Sequence, residues 1–342
     1  MKGIVLGMVV TVAMLAGSSQ GMSQTVLRFN LWVPPTHHTQ TQMMMPWAAD
    51  VEKATEGRVK VTFTPSSLGA PPRQFDLAAE GVADITFGDH TYTPGRFFLT
   101  KMAELPFLGD SAEALSVAYW RTYSALPQAA EEHKGTKLLS VFTHGPPGIM
   151  TTKKKIDSVA ALSGLKIRVS GENTSKIMSL LGAVPVAVPA TQVYELLSQG
   201  VVDGSIYNLD AYKNFRLERF MKYVTTASDG LYNISFFLVM NKPKWDALSP
   251  ADQAAIERVS GEAFARRAGK VWDSEDKLSL ELMRKNGVEI TPMQGQFRDD
   301  VAAKLAVLKD EWIKAANERG VNSEAILKKF REEYEGLRKN SL

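Results

Sequence analysis

The stretch Leu162-Ser163-Gly164-Leu165-Lys166-Ile167-Arg168-Val169 decides how the rest of this chain is read. A glycine opens a run in which apolar residues alternate with two cations, the period-2 pattern of a half-buried strand. Leu165, Ile167 and Val169 therefore share one face, and Lys166 and Arg168 the other. A surface arginine on a half-exposed strand satisfies that pattern. So does an arginine turned into a cleft between two domains, where its planar five-donor fork suits a carboxylate.

Outward from this strand, helical and extended patterns alternate in both directions. Downstream, Ile177, Leu180 and Leu181 keep helical spacing until Gly182. Val186 to Val188 is a short strand with Pro185 and Pro189 at its ends. Thr191 is placed to cap a helix bearing Val193, Leu196 and Leu197, and Val201 to Tyr207 enters the next strand. Upstream, Val26 to Leu31 reads as a first strand, followed by a proline-broken loop with His37 and His38 and a helix through Glu56. Gly57 to Phe63 and Ala83 to Phe87 are further strands, with a helix from Arg73 to Glu80 between them. Phe236 to Met240 is one more. This order predicts α/β layering with a parallel sheet. Ser249-Pro250 then opens a helix with a cap and proline at its first position, and no strong breaker appears before Asn286-Gly287. The expectation is one long beam crossing two domains. Charged helical faces near the end, such as Lys328 to Glu335, read as solvated surface.

A chain of 342 residues with 44% apolar content has the length of about two domains. Its first 21 residues read as a signal peptide: Lys2, an apolar run from Ile4 to Ala16, and Ser19-Gln20-Gly21 as a small-x-small cleavage site before Met22. That run is too short to span a bilayer permanently, so an exported, diffusible periplasmic protein is expected. The absence of cysteine rules out disulfides and lipid attachment at a cysteine. Cleavage would leave 39 basic and 37 acidic residues, a near balance that speaks against a nucleic-acid partner.

The sequence after the signal peptide lacks a Gly-rich phosphate loop, a Gly-x-Ser-x-Gly elbow and a His-Glu-x-x-His pair. The Ser274-x-x-Lys277 spacing lies inside the long helix without companion motifs, and the one Gly-x-Ser-x-Gly spacing, Gly17 to Gly21, falls in the signal segment. No enzyme is expected. His37, His38, His90, His133 and His144 show no metal-ligand spacing, and the adjacent rings of His37 and His38 are expected to point in different directions. No metal or cofactor is expected, and His133, in a charged helix, is expected at the surface.

Four stretches in order, Gly164-Leu165-Lys166-Ile167-Arg168, Leu181-Gly182-Ala183-Val184-Pro185, Val193-Tyr194-Glu195-Leu196-Leu197 and Gly200-Val201-Val202-Asp203-Gly204, resemble the solute-binding subunits of TRAP (tripartite ATP-independent periplasmic) transporters, the DctP family. Thr55 to Val59, Leu68-Gly69, Gly81 to Asp84 and Leu105 to Leu108 look like landmarks of the same family, so the similarity covers nearly the whole chain after the signal peptide. The resemblance implies a two-domain periplasmic-binding-protein-like α/β fold with a cleft, crossing strands and a long domain-spanning helix. It divides the chain into residues 22–145 plus about 236–276 as domain I and 146–235 plus about 277–342 as domain II. Such a protein, expected as a monomer, closes around a small organic acid and hands it to small and large integral membrane subunits. Hinges are expected near His144 to Gly148 and Ser235 to Phe236.

The same resemblance assigns the site. Arg168 matches the family arginine that grips the ligand carboxylate. Tyr207 stands where relatives often carry an asparagine, with Asn208 beside it. Relatives that hold a metal cation have a glutamate where this chain has Ile206, so no sodium is expected. Sugar-acid relatives place an arginine at Gly148 and an aromatic residue at Ala190; both are small here. From the other domain come Asp89, near His90 and Tyr92, then Trp32 and His37 from the loop after the first strand, and Phe236 from the crossing strand. Plain alternatives are a core role for Tyr207 or Trp32, a turn cap for Asp89, and a Phe236 facing away. One arginine among aromatic residues implies a monocarboxylate with an apolar or aromatic body. The rival readings are a sensor module presenting its ligand to a receptor, and a hydrolase using the same cleft with Asp89 and His90.

Overall fold

The computed structural model describes residues 24–339, so the signal segment read over 1–21 lies outside the described residues. Among the described residues eleven strands run in chain order as β1 Thr25–Asn30, β2 Val59–Phe63, β3 Ile85–Asp89, β4 Thr136–Thr143, β5 Pro147–Thr151, β6 Lys166–Val169, β7 Val184–Ala187, β8 Gly204–Asn208, β9 Tyr223–Thr226, β10 Ser235–Asn241 and β11 Glu289–Pro292. They form two sheets, β2-β1-β3-β10-β4 and β11-β9-β5-β8-β6-β7, each layered with helices in a two-domain α/β fold.

Neither sheet is purely parallel. In the first, β1 runs parallel to β2 and β3, but β10 lies antiparallel between β3 and β4. In the second, β5 is antiparallel to β8 and β9. The reason is the path of the chain: it leaves the first sheet between β4 and β5 and returns between β9 and β10, so β10 enters from the opposite end. These crossings fall at 144–146 and 227–234. The third strand starts two residues later than its apolar run suggests; ahead of it the Asp84 carboxylate accepts from Arg28 N at 2.8 Å. The shift leaves Asp89 as the last residue of β3.

The expected continuous helix from Ser249 is two helices, Pro250–Val259 and Gly261–Lys285. Ser249 does cap the first, accepting from Asp252 N at 3.1 Å. The break comes at Gly261, whose φ of +54° is left-handed and whose added Cβ would stand 2.8 Å from the Trp120 ring. Ser260 Oγ meanwhile accepts from Trp47 Nε1 at 3.1 Å, which fixes the turn to the first domain. Only the second helix crosses the molecule, packing on Ala112–Tyr123 and β4 at one end and approaching β11 at the other. The final helix, Ser323–Lys339, packs on Ala112–Tyr123.

Three local readings are corrected. Pro185 lies inside β7, tolerated because β7 is an edge strand. Thr191 caps nothing; it sits in a tight turn, Ala190–Gln192, before the helix Val193–Ser198. His133 is 1% exposed rather than on the surface. It bonds through Nδ1 to Tyr123 OH at 3.1 Å and faces His90 Nε2 at 3.2 Å, and burial pushes its pKa down to about 4.

Candidate ligand-binding site

Strand ends from both sheets converge on one place, as expected where ligands meet the carboxyl ends of strands. Trp32 follows β1, Asp89 ends β3, Arg168 lies at the end of β6 with Ser170 beyond it, and Tyr207 and Asn208 end β8. Between them is a cavity lined by residues of both sheets. Tyr232 and Ile234 line it from the second crossing, Phe236 from the start of β10, and Trp272 from the long helix.

Arg168 is 1% exposed, one of the largest fully buried side chains. Its Nε and Nη2 both donate to Val188 O, at 3.0 and 2.7 Å, and the guanidinium carbon lies 4.7 Å from the centroid of the Tyr207 ring. Backbone carbonyl and aromatic face thus hold the fork, while the residue lines the cavity. Among the described residues no carboxylate lies within ion-pair distance of it. Desolvation makes an uncompensated cation costly, so an anionic ligand group is strongly favoured here.

From the opposite sheet comes Asp89. Its Oδ1 accepts from both the N–H and the hydroxyl of Thr91, each at 2.7 Å, so it caps the turn His90–Tyr92 and lines the cavity as well. Burial pushes its carboxyl up to about 7, against the Thr91 bonds and the Arg168 charge. Beside it, Tyr92 OH accepts from Ala190 N at 3.0 Å, a contact between the two domains across the cleft.

Much of the remaining wall is aromatic. Trp32 stacks on Phe87 with centroids 5.3 Å apart and donates through Nε1 to Phe87 O at 3.1 Å. Phe236 stacks on Trp272 at 5.1 Å. Gly148 is not part of the lining: its added Cβ would stand 3.0 Å from Leu209 and Val224 side-chain atoms, inside the second domain's core. His90, adjacent to Asp89, is engaged in the first domain with Ser235 Oγ at 3.0 Å and His133. His144 is neutral and held at both nitrogens, Nδ1 at 2.5 Å from Gly145 O and Nε2 accepting from Ile234 N at 3.2 Å.

His37 and His38 do not diverge as expected. Their ring centroids are 4.4 Å apart, and the nitrogens of both rings gather with an Asp210 carboxylate oxygen within 4.8 Å of one another. His38 Nε2 is 2.5 Å from Asp210 Oδ2, and His37 Nε2 is 3.9 Å from it. This trio has the composition of a metal site but not its protonation. His37 Nδ1 accepts from Thr39 N at 3.1 Å, so the neutral ring carries its proton on Nε2, the nitrogen that would have to ligate. Burial, with the His38 charge, pushes His37 down to about 3 and keeps it neutral.

Seven of the eight expected residues, Arg168, Tyr207, Asn208, Asp89, Trp32, Phe236 and His37, therefore line one cavity, and Gly148 stands apart. Alternation alone could have added Tyr232 and Ile234, which share the register of Phe236. Trp272 belongs to a buried helical stripe with Ala265 and Ala268, but no local pattern marks a stripe as the roof of a cavity. Phe215, Asp210 and His38 carried no signal.

A cleft between two mixed sheets, crossed twice by the chain and closed over a buried arginine, defines a two-domain ligand-binding protein. The chain belongs to the DctP family of bacterial extracellular solute-binding proteins (family 7), whose model matches residues 31–315. These are the solute-binding proteins of TRAP transporters. The chain is 34% identical over 322 residues to the "outer membrane transporter protein TsaT" of Comamonas testosteroni, covering 94% of each. It is similar to a TRAP periplasmic solute-binding protein from Bordetella bronchiseptica solved with bound (R)- and (S)-mandelate, at 35% identity and a TM-score of 0.89 over 92% of this chain and 99% of that one. It is also similar to one from Rhodoferax ferrireducens in complex with copurified benzoate, at 27% identity and a TM-score of 0.87 over 93% and 100% of the two chains.

Proposed function

We propose that this protein captures an aromatic monocarboxylate in the periplasm, through an Arg168–carboxylate salt bridge, and delivers it to the small and large membrane subunits of a TRAP transporter. The observation that carries this reading is the one arginine buried among the described residues, held by Val188 O and Tyr207, in a cavity whose walls include Trp32, Phe236 and Trp272. The mandelate and benzoate found in the two similar proteins are of the same class. Residues 22–145 with about 236–276 act as one closing body and 146–235 with about 277–342 as the other, turning about the two crossings; the packing of Ser323–Lys339 on Ala112–Tyr123 ties its last helix to the first. The protein works as a monomer and without catalysis: His90, which a hydrolytic reading would pair with Asp89, is engaged with Ser235 and His133. No helix among the described residues is long and apolar enough to cross a membrane, which suits a diffusible periplasmic carrier.

The test is a thermal-shift screen of the mature protein against monocarboxylates, dicarboxylates, sugar acids and polyols. An aromatic acid at a hundred times its dissociation constant should add about 2.7 kcal/mol of stability. Stabilisation by dicarboxylates or sugar acids alone would refute the proposed ligand class.

A further inference from the structure

We infer that His37 and Asn208 form a second polar subsite of this cavity, one that takes a neutral hydroxyl group of the bound acid. The inference rests on the monocarboxylate reading and adds to it a requirement that the carboxylate alone does not impose.

Three features of the geometry support it. The ring of His37 lines the cavity with its proton fixed on Nε2, because Nδ1 is occupied by the N–H of Thr39 at 3.1 Å. That N–H has no acceptor within reach in Asp210, whose Oδ2 is 3.9 Å away, and Phe215 packs edge-on at 5.4 Å to hold the ring. Asn208 also lines the cavity, and its Nδ2 donates to Asp210 Oδ1, which turns the amide oxygen to the other side. That oxygen accepts no hydrogen bond from the described residues. Both groups are therefore arrayed about the same carboxylate, one offering a donor and the other an acceptor. A hydroxyl can satisfy both at once, accepting from the imidazole and donating to the amide.

Charge then excludes the alternative of a second anion. Asp210 is fully buried behind the two groups and is anchored by His38 Nε2 at 2.5 Å and by Asn214 Nδ2 at 3.1 Å. Burial acts to raise its pKa, but the charge and hydrogen bond of His38 outweigh burial and hold the carboxyl well below its usual range. The charges of His38 and Asp210 answer one another, so a ligand carboxylate brought to His37 would find no free cation to pair with. A plain apolar group would leave the imidazole N–H and the amide oxygen desolvated without partners, which recognition sites penalise strongly.

Isothermal titration of the mature protein with matched pairs tests this: mandelate against phenylacetate, and 3- and 4-hydroxybenzoate against benzoate. At least one hydroxylated acid should bind about tenfold or more tightly than its parent. His37→Leu should close that gap, and His37→Gln, which keeps an N–H donor, should retain part of it. Asn208→Leu is a second variant expected to narrow it. Equal binding of every pair by the unmodified protein, or a gap that survives both leucine variants, overturns the subsite and leaves the monocarboxylate reading standing. Failure of all these acids to bind overturns both.

Discussion

Nε2 of His38 lies 2.5 Å from Oδ2 of Asp210, joining the loop after β1 in the first domain to the residue that follows β8 in the second. Both side chains are buried, and the Asp210 N–H is taken in turn by Asp276 Oδ1 of the long helix at 3.1 Å. The behaviour of this bridge with pH follows from its sign. Asp210 is held below its unfolded pKa, so its contribution is present above about pH 4 and is lost as the pH falls towards its folded value. Asp210→Ala leaves His38 without its partner and should cost about 3–5 kcal/mol at pH 7. Thermal melts at pH 7 and pH 3 should show the deficit shrinking in acid; a deficit independent of pH would mean the loss is one of packing alone.

Arg168 supports a second prediction. Arg168→Ala removes the cation from the cavity and should weaken binding of a monocarboxylate by about 2–5 kcal/mol with little change in far-ultraviolet circular dichroism. Arg168→Lys should recover only part of it, since an ammonium cannot make the paired contact of the fork nor lie flat on Tyr207. Titration calorimetry of both variants decides the matter, and unchanged affinity in the alanine variant would remove the salt bridge from the mechanism.

Asp89 makes binding sensitive to pH near neutrality. Its carboxyl is pushed up to about 7 by burial, and a ligand carboxylate entering beside Arg168 adds a like charge that raises it further. Binding should therefore take up a proton above pH 7, and affinity should fall with rising pH by up to about tenfold per unit. The sign for folding is the same: a raised carboxyl favours the folded state fully below about pH 3.8, and that advantage is lost as the pH rises through 7. Calorimetry in buffers of different ionisation enthalpy reads the proton directly, and Asp89→Asn should flatten the profile. A profile already flat in the unmodified protein would show that Asp89 keeps its charge on binding.

What was legible in the chain follows from how local each cause is. Alternation in 162–169 is a short-range property, and with it came the strand, its face and Arg168; the burial of Arg168 beside an exposed Lys166 on that face depends on β8 and the cleft, which no window contains. The Ser260-Gly261 break has no local signal, since both residues are tolerable in a helix; what demands the left-handed glycine is the Trp120 ring, 141 positions earlier in the chain. Adjacency says nothing of where the rings of His37 and His38 meet, because their common target, Asp210, is 172 residues beyond His38. Gly148 entered the site by likeness to relatives, yet its missing Cβ faces Leu209 and Val224. Resemblance carried over a position there, but not the contacts around it.

A close backbone approach in the long helix yields the last prediction. At Gly269 the helix Gly261–Lys285 meets the start of Ala112–Tyr123 so closely that an added Cβ would lie 2.3 Å from Glu113 Cα and 2.5 Å from Ala112 O. One turn further on, Asp273 caps that same helix start, accepting from Ala112 N at 2.6 Å, Glu113 N at 3.1 Å and Ser111 Oγ at 2.9 Å. The obstructing atoms are backbone, so they cannot rotate aside, and relief requires the two helices to separate. In an isolated helix Gly269→Ala would be favourable by about 1 kcal/mol through propensity. Here the overpacking should outweigh that gain and weaken the Asp273 cap together with it, for a net loss of about 1–3 kcal/mol. Asp273→Ala alone should cost about 0.5–2 kcal/mol through the lost cap. If separation of the helices is what couples the two, the losses in the double variant will fall short of additive, because a displaced cap has less left to lose. Chemical denaturation of the two single variants and the double variant measures this; a stabilised Gly269→Ala protein would show that the helices part at no cost.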